Sequence, residues 1–238
     1  AIENNLPDLS VCVVEKGSEV GAHILSGAVI QTNALDELIP DWKEKGAPLN
    51  QPALHDKMVF LTETGSIPMP HPPQMNNKGN YIVSLSRVAT WLGEQAEEAG
   101  VEIYPGFAGA QIVWDEDANG NKRGIRGIVT NDIGLNKEGQ PKDNYEPGME
   151  FRAPITLFAE GAHGSLSLKI MKELKLREEV GADPQTYGIG IKEVWRVKPE
   201  NHEAGLVAHT MGHPLSTDTY GGSFMYHMDD NMVSLGLV

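Results

Sequence analysis

Apolar positions along the chain fall into short, nearly continuous runs parted by glycine, proline and polar turns, with a few stretches of helical spacing between them. Runs of that length fit strands covered on both faces. Ile155-Thr156-Leu157-Phe158-Ala159 is expected to be such a buried strand, entering a turn at Gly161 and Gly164. Ser165 then caps a helix on which Leu166, Ile170 and Leu174 recur every four residues. Glycines let a backbone approach a ligand closely, and a helix N-terminus behind them suits a phosphate or the polar edge of a nucleotide. The same pattern equally fits an ordinary strand-to-helix connection.

Taken in order, Val11-Cys12-Val13-Val14 reads as an apolar strand with Glu15 at its carboxyl end. In a dinucleotide-binding fold that carboxylate accepts the adenosine ribose hydroxyls, roughly 20 residues beyond a Gly-x-Gly-x-x-Gly loop. No such loop stands in the ten residues ahead of Val11. Val20 to Ala28 is a glycine-punctuated loop of small and apolar residues, Asn33 to Leu38 a short helix, and Asp41-Trp42 to Gln51 a surface connection. Met58 to Leu61 reads as a strand. Ile67 to Met75 is too proline-rich for helix or central strand, and its extended apolar character fits a stiff surface loop or one that touches something greasy. Tyr81 to Ser84 leads into an amphipathic helix with Val88, Trp91, Leu92, Ala96 and Ala99 on one face. Gly100 ends it, and Val101 to Tyr104 returns as a strand, an expected βαβ unit. Ala110 to Trp114 and Gly124 to Thr130 flank a turn at Asn119-Gly120, and Met149 to Arg152 pairs back onto them after the polar excursion 131–147. Beyond the helix ending near Leu176, Tyr187 to Val197, Gly205 to Thr210, Ser223 to Met228 and Met232 to Val238 alternate with turns, as in an antiparallel sheet. Glycines at 188, 190, 221 and 222 fall in or beside these strands, where glycine marks close approach of a ligand.

Composition narrows the chemistry. The 238 residues carry a net charge of −14, a field that repels polyphosphate, so nucleic acid is not an expected partner. A single cysteine, Cys12, leaves no internal disulfide framework and no iron–sulfur ligand set, which takes about four thiolates. His209 and His213 have the spacing of a helical metal pair, but Gly212 and Pro214 argue against a helix there, so no metal site is expected. No apolar run approaches the roughly 20 residues of a spanning helix. The chain opens on Ala1 and stops at Gly236-Leu237-Val238 within a strand pattern, and is expected to be an internal piece of a longer protein.

Several stretches together resemble one family: electron-transfer flavoprotein–ubiquinone oxidoreductase. They are Val14-Glu15-Lys16-Gly17-Ser18-Glu19-Val20-Gly21 with Ser26-Gly27-Ala28, then Pro40-Asp41-Trp42-Lys43-Glu44-Lys45-Gly46-Ala47-Pro48-Leu49, Gly93-Glu94-Gln95-Ala96-Glu97, Phe158-Ala159-Glu160-Gly161, Pro184-Gln185-Thr186-Tyr187-Gly188-Ile189-Gly190 and Thr219-Tyr220-Gly221-Gly222-Ser223-Phe224. The resemblance implies a membrane-associated enzyme of the bacterial or mitochondrial inner membrane. It holds FAD and one [4Fe-4S] cluster, takes electrons from reduced electron-transfer flavoprotein and passes them to ubiquinone. By that resemblance Glu15, with Lys16 beside it, binds the adenosine ribose, and Ser26 and Gly27 lie near the flavin. Ile112 is a further cofactor contact, Gly161 belongs to the second FAD motif, and Tyr220, Gly221 and Gly222 line the quinone site. Paired glycines there are expected to offer main-chain N–H and C=O groups to the quinone carbonyls.

The implied fold is α/β joined to α+β. Residues 1–180 form an incomplete doubly wound FAD-binding domain, Rossmann-like and of the glutathione-reductase type, with a β-meander; 181–238 form part of an antiparallel-sheet quinone-binding domain. The chain lacks the first phosphate loop, the later flavin motif and the four-cysteine cluster domain. Ser84 stands where related flavoproteins have arginine, and Ala162 and His163 have no assigned role. A flavin enzyme that reduces an isoprenoid double bond, or a truncated fold that binds lipid or a partner protein without catalysis, is the alternative.

Overall fold

A computed structural model describes residues 9–25 and 27–238, which divide into two units, each drawn from separated stretches of the chain. One runs to Glu19 and resumes over Val101–Tyr187; the other takes Val20–Gly100 and Gly188–Val238.

In the first unit, β1 (Cys12–Glu15) lies parallel to β7 (Glu102–Pro105), with Glu15 opposite Pro105. β8 (Gly109–Glu116) and β9 (Lys122–Thr130) are antiparallel. Their turn is fixed by Gly120 at φ 79° and by Asp117 Oδ1, which accepts from the backbone N–H groups of Asn119 and Asn121. β12 (Glu150–Arg152) returns onto β9 as its pattern requires. The polar excursion holds a further exposed hairpin, β10 (Ile133–Leu135) with β11 (Pro141–Glu146), which its composition concealed. α3 (Ser165–Glu173) buries Leu166 and Ile170 against β8, and a Cβ at Gly109 would stand 3.0 Å from Leu166 Cδ1.

Two expectations fail here. Ile155 to Ala159 forms no strand, and Ile155 and Leu157 are 76% and 88% exposed. An apolar run becomes a strand only where a neighbour takes up its N–H and C=O groups, and no described strand pairs with it. The expected βαβ unit is absent as well. β6 (Tyr81–Val83) sits antiparallel between β2 (Ala28–Ile30) and β3 (Gln51–Pro52), whereas β7 pairs with β1 in a different sheet. The helix between them, α2 (Leu85–Glu98), therefore connects two sheets instead of crossing over one.

In the second unit α2 starts at Ser84, whose side chain accepts from Arg87 N–H, and it buries Val88 and Trp91. These pack with Trp42, Ala47, Leu49 and Val83. The stretch Asp41 to Gln51 thus runs along the surface but sends Trp42, Ala47 and Leu49 into the core. The Trp42 indole N–H, 2.7 Å from Asp36 Oδ1 at the end of α1 (Asn33–Leu38), meets the polar requirement that otherwise keeps tryptophan outside. The larger sheet has the order β13-β16-β15-β14-β4-β5, from β13 (Ile191–Arg196), β16 (Met232–Leu237), β15 (Ser223–His227), β14 (Leu206–Gly212), β4 (His55–Leu61) and β5 (Ser66–Pro68). It is antiparallel except where β14 runs beside β4 in the same direction, a mixed sheet where the sequence pattern implied an antiparallel one. Proline-containing β5 takes the edge, as a residue without an N–H must. One face packs through Val207, Tyr226 and Met232 onto Val29 and Ile82 of the small sheet.

Candidate functional site

The opposite face of the large sheet carries a groove of about 560 Å³, within the range of small-molecule sites. Strand alternation builds it: Lys57, Val59 and Leu61 from β4, Leu206, Ala208 and Thr210 from β14, Ser223, Met225 and His227 from β15, and Leu235 from β16. A smaller cavity of about 250 Å³ shares Asn201, Met225, His227 and Leu235 and is also lined by Trp195. The walls are thus largely aliphatic, with hydroxyls at one end and an ion pair at the other. There Lys57 Nζ stands 2.9 Å from Glu203 Oε2, and that hydrogen bond is the main reason the Glu203 carboxyl lies below its ordinary pKa.

His227 is the buried polar group of this groove, only 5% exposed. The backbone N–H of Glu203 donates to its Nδ1 at 2.9 Å, so the neutral ring carries its proton on Nε2. Burial lowers the His227 pKa, the adjacent His202 lowers it further, and Glu203 offsets part of this. On the reverse face the Tyr226 hydroxyl lies 2.9 Å from His209 Nε2, and burial lowers the His209 pKa and raises that of Tyr226. Reading the sequence for motifs passed over His227, although period two from Ser223 places it on one face with Met225.

Gly221 and Gly222 lead directly into Ser223 at the hydroxyl end of the groove, and Tyr220 is fully exposed. The Gly222 N–H and C=O both pair with Val238 at 2.9 Å. Neither glycine has the positive φ that favours the residue. Both are glycine because other backbone comes close, a Cβ at 221 falling 2.1 Å from Val238 O and one at 222 falling 2.2 Å from Thr210 O. Nor do Gly188, Gly190, Gly221 and Gly222 sit inside strands; each precedes one.

The residues expected to contact the cofactor fall in both units. Glu15 ends β1 and one of its carboxylate oxygens accepts from the backbone N–H of Gly17. No described residue donates to Oε2, so that oxygen keeps its acceptor capacity. Lys16 is exposed, Ile112 stands opposite Ile128 in the β8–β9 hairpin, and Ser26 lies outside the described residues. Gly27, at φ 99°, approaches β16 so closely that a Cβ would meet Ser234 Oγ at 2.1 Å, and its carbonyl accepts from Lys192 Nζ at 3.2 Å. Gly161 turns the chain at φ 76° with open space around it.

The helix end behind Gly161 is already occupied. Gly164, not Ser165, is the N-cap, and it has no side chain to cap with. Glu160 takes over: Ser167 N–H and Oγ each reach Oε2 at 2.7 Å, and Leu166 N–H reaches Oε1 at 3.2 Å. Burial raises the Glu160 pKa, but the hydrogen bonds from Ser167 and Leu166 outweigh it and leave the carboxyl below its ordinary value. A phosphate does not fit on this helix end while that carboxylate is there.

Residues 187–238 match a family described as "ETF-QO, ubiquinone-binding". The mitochondrial electron transfer flavoprotein-ubiquinone oxidoreductase of Dictyostelium discoideum is 55% identical over 231 residues, which cover 97% of this chain and 37% of that protein. Among solved structures, a geranylgeranyl bacteriochlorophyll reductase-like protein of Thermoplasma acidophilum aligns with a TM-score of 0.58 at 11% identity, over 96% of this chain and 50% of that one. CtdE, solved with FAD and a substrate, aligns with a TM-score of 0.54 at 16% identity, over 96% and 50%. At such identities the structural likeness is one of fold: mixed α/β with several sheets.

Proposed function

With the chain a member of the electron-transfer flavoprotein–ubiquinone oxidoreductase family, we propose that it forms the FAD- and ubiquinone-binding portion of an enzyme that takes electrons from reduced electron-transfer flavoprotein and reduces ubiquinone to ubiquinol. The observation that carries this reading is the 55% identity sustained over 97% of the chain. The isoprenoid-reductase alternative has only the fold in its favour, at 11% identity.

FAD supplies the electron-transfer chemistry when bound, while the protein holds and orients it. Glu15 holds the adenosine ribose, with Lys16, Ser26, Gly27, Ile112 and Gly161 as the other contacts. Their setting is a doubly wound FAD domain completed by sequence beyond this chain, which also supplies the ligands of the [4Fe-4S] cluster. Ubiquinone lies beside Tyr220, Gly221 and Gly222.

The protein meets the inner membrane from one side. No described helix is long and apolar enough to cross a bilayer. The β4–β5 hairpin instead presents Phe60 directly opposite Ile67, 39% and 57% exposed, with Met211 beside Phe60 on β14. An exposed apolar row of this kind suits contact with lipid, and by strand alternation it stands on the face of the sheet opposite the groove.

The test is steady-state turnover by the full-length protein: reduced electron-transfer flavoprotein as donor and a ubiquinone analogue as acceptor. Ubiquinol formation that needs both FAD and donor is expected. A purified, folded protein without flavin absorbance and without turnover refutes the reading.

A further inference from the structure

Neighbouring strands place a cation on the face of the large sheet that Gly27 reaches. Lys192 of β13 stands opposite Gly236 of β16, and Gly236 stands opposite Phe224 of β15, so the three form one row across the sheet. A Cβ at Gly236 would meet the Phe224 ring at 2.3 Å, and the missing side chain is what lets that ring lie over β16. The half-buried Lys192 side chain runs onto it, with Nζ 5.9 Å from the Phe224 ring centroid. Nζ also donates to the Gly27 carbonyl at 3.2 Å. That carbonyl is a fixed anchor, because buried Gly27 sits at φ 99° with no room for a Cβ against Ser234. No ion pair and no other hydrogen bond among the described residues includes Lys192.

We propose that Lys192 is a flavin contact: its ammonium, anchored on the Gly27 carbonyl and the Phe224 ring, donates to the carbonyl edge of the isoalloxazine ring and stabilises the charge that reduction puts there. This rests on the reading that Gly27 lies beside the flavin. The occupant follows from what the cation lacks. An ammonium has more N–H donors than one main-chain carbonyl uses, and a cation drawn partly out of water without a carboxylate calls for a further acceptor.

The flavin ring supplies that acceptor in both redox states. Oxidised, it is neutral and presents carbonyl oxygens along one edge. Two-electron reduction with uptake of one proton leaves a single negative charge, shared between N1 and the adjoining carbonyl. The electrons come from the reduced flavoprotein donor and the proton from solvent, so Lys192 gives up none of its own. A cation already in place favours the reduced ring over the oxidised one and raises the potential at which the flavin accepts electrons.

The experiment uses the full-length protein with Lys192→Met, which keeps the side-chain length without the charge, and Lys192→Arg, which keeps the charge. The Kd of each apoprotein for oxidised and for reduced FAD is measured anaerobically, with the midpoint potential and a melting curve beside it. Lys192→Met should weaken reduced FAD about 10-fold more than oxidised FAD, the margin of a charge-assisted hydrogen bond over a neutral one. That ratio equals a potential lower by about 30 mV for a two-electron couple. Lys192→Arg should recover most of the potential. Equal weakening of both forms, or an unchanged potential in Lys192→Met, overturns the assignment, since a side chain that only props the Gly27 loop acts on both forms alike. A wild-type measurement stands apart from any variant's folding: with 13C at either ring carbonyl of bound FAD, both infrared bands at their free-solution positions overturn the assignment as well. Wild-type full-length protein that binds no FAD overturns the flavin reading instead.

Discussion

Removing the Glu160 carboxylate is expected to unpin the start of α3. Glu160 receives two backbone N–H groups and one hydroxyl, three of the bonds that hold a helix end without a capping side chain of its own. Loss of a capping acceptor costs about 0.5–2 kcal/mol. Glu160 is largely exposed, so solvent screening keeps the charge-dependent part small and the middle of that range applies. The full-length protein is well beyond the 150–250 residues for which 1 kcal/mol shifts Tm by about 2–4 °C, so Glu160→Ala should lower its Tm by roughly 1 °C. Glu160→Gln should lie between it and the wild type. The pH dependence follows from the lowered pKa. The unfolded carboxyl, at its ordinary 4.5, takes up a proton before the folded one. The charge contribution is therefore present above pH 4.5 and is lost as pH falls through the lower folded value. The Tm gap between wild type and Glu160→Gln should close over that range. Calorimetry of the full-length protein reads both, and FAD titration of the apoprotein should show no tightening in Glu160→Ala. Equal melting points at pH 7 would refute the capping role; tighter FAD binding would mean that a cofactor phosphate belongs on this helix end.

Glu15→Ala should weaken FAD retention about 10- to 150-fold, the loss of a charge-assisted hydrogen bond, and unchanged affinity on titration would remove Glu15 from the site. Gly222→Val should destabilise by about 1–3 kcal/mol or more, because its Cβ meets a backbone carbonyl that cannot move alone; a wild-type melting curve would contradict that close approach. Replacing Phe60 and Ile67 together with Ser should weaken vesicle partitioning of the full-length protein on the order of 100-fold, each large apolar side chain contributing about 1.5–3 kcal/mol. Unchanged flotation with liposomes places the membrane contact elsewhere.

Strands β8, β9, β14, β15 and β16 were legible because their alternation and turns are local. What escaped the sequence was pairing. Ile155 to Leu157 is as apolar as any strand here, but apolarity does not say whether a ladder waits beside it. Trp42 looked like part of a surface loop because its polar neighbours are adjacent in sequence, while the residues that bury it, Val83 and Trp91, are forty and more positions away. At the site, glycine composition pointed to Gly221 and Gly222, and the structure adds a local packing reason for glycine there, the close approach of Val238 and Thr210. His227 went unmarked because its significance lies in the Glu203 N–H that fixes its tautomer, a contact between a strand and a preceding loop. Glu160 was read as part of a glycine motif and is the cap of the next helix.

The most direct test of the account is a single-turnover experiment in which the full-length protein, its flavin first reduced anaerobically, is mixed with a ubiquinone analogue. The account predicts that the oxidised flavin spectrum returns at a rate that saturates with quinone concentration, as binding in a defined site requires. Flavin that stays reduced, or a rate that rises linearly without saturation up to the solubility limit, would contradict it.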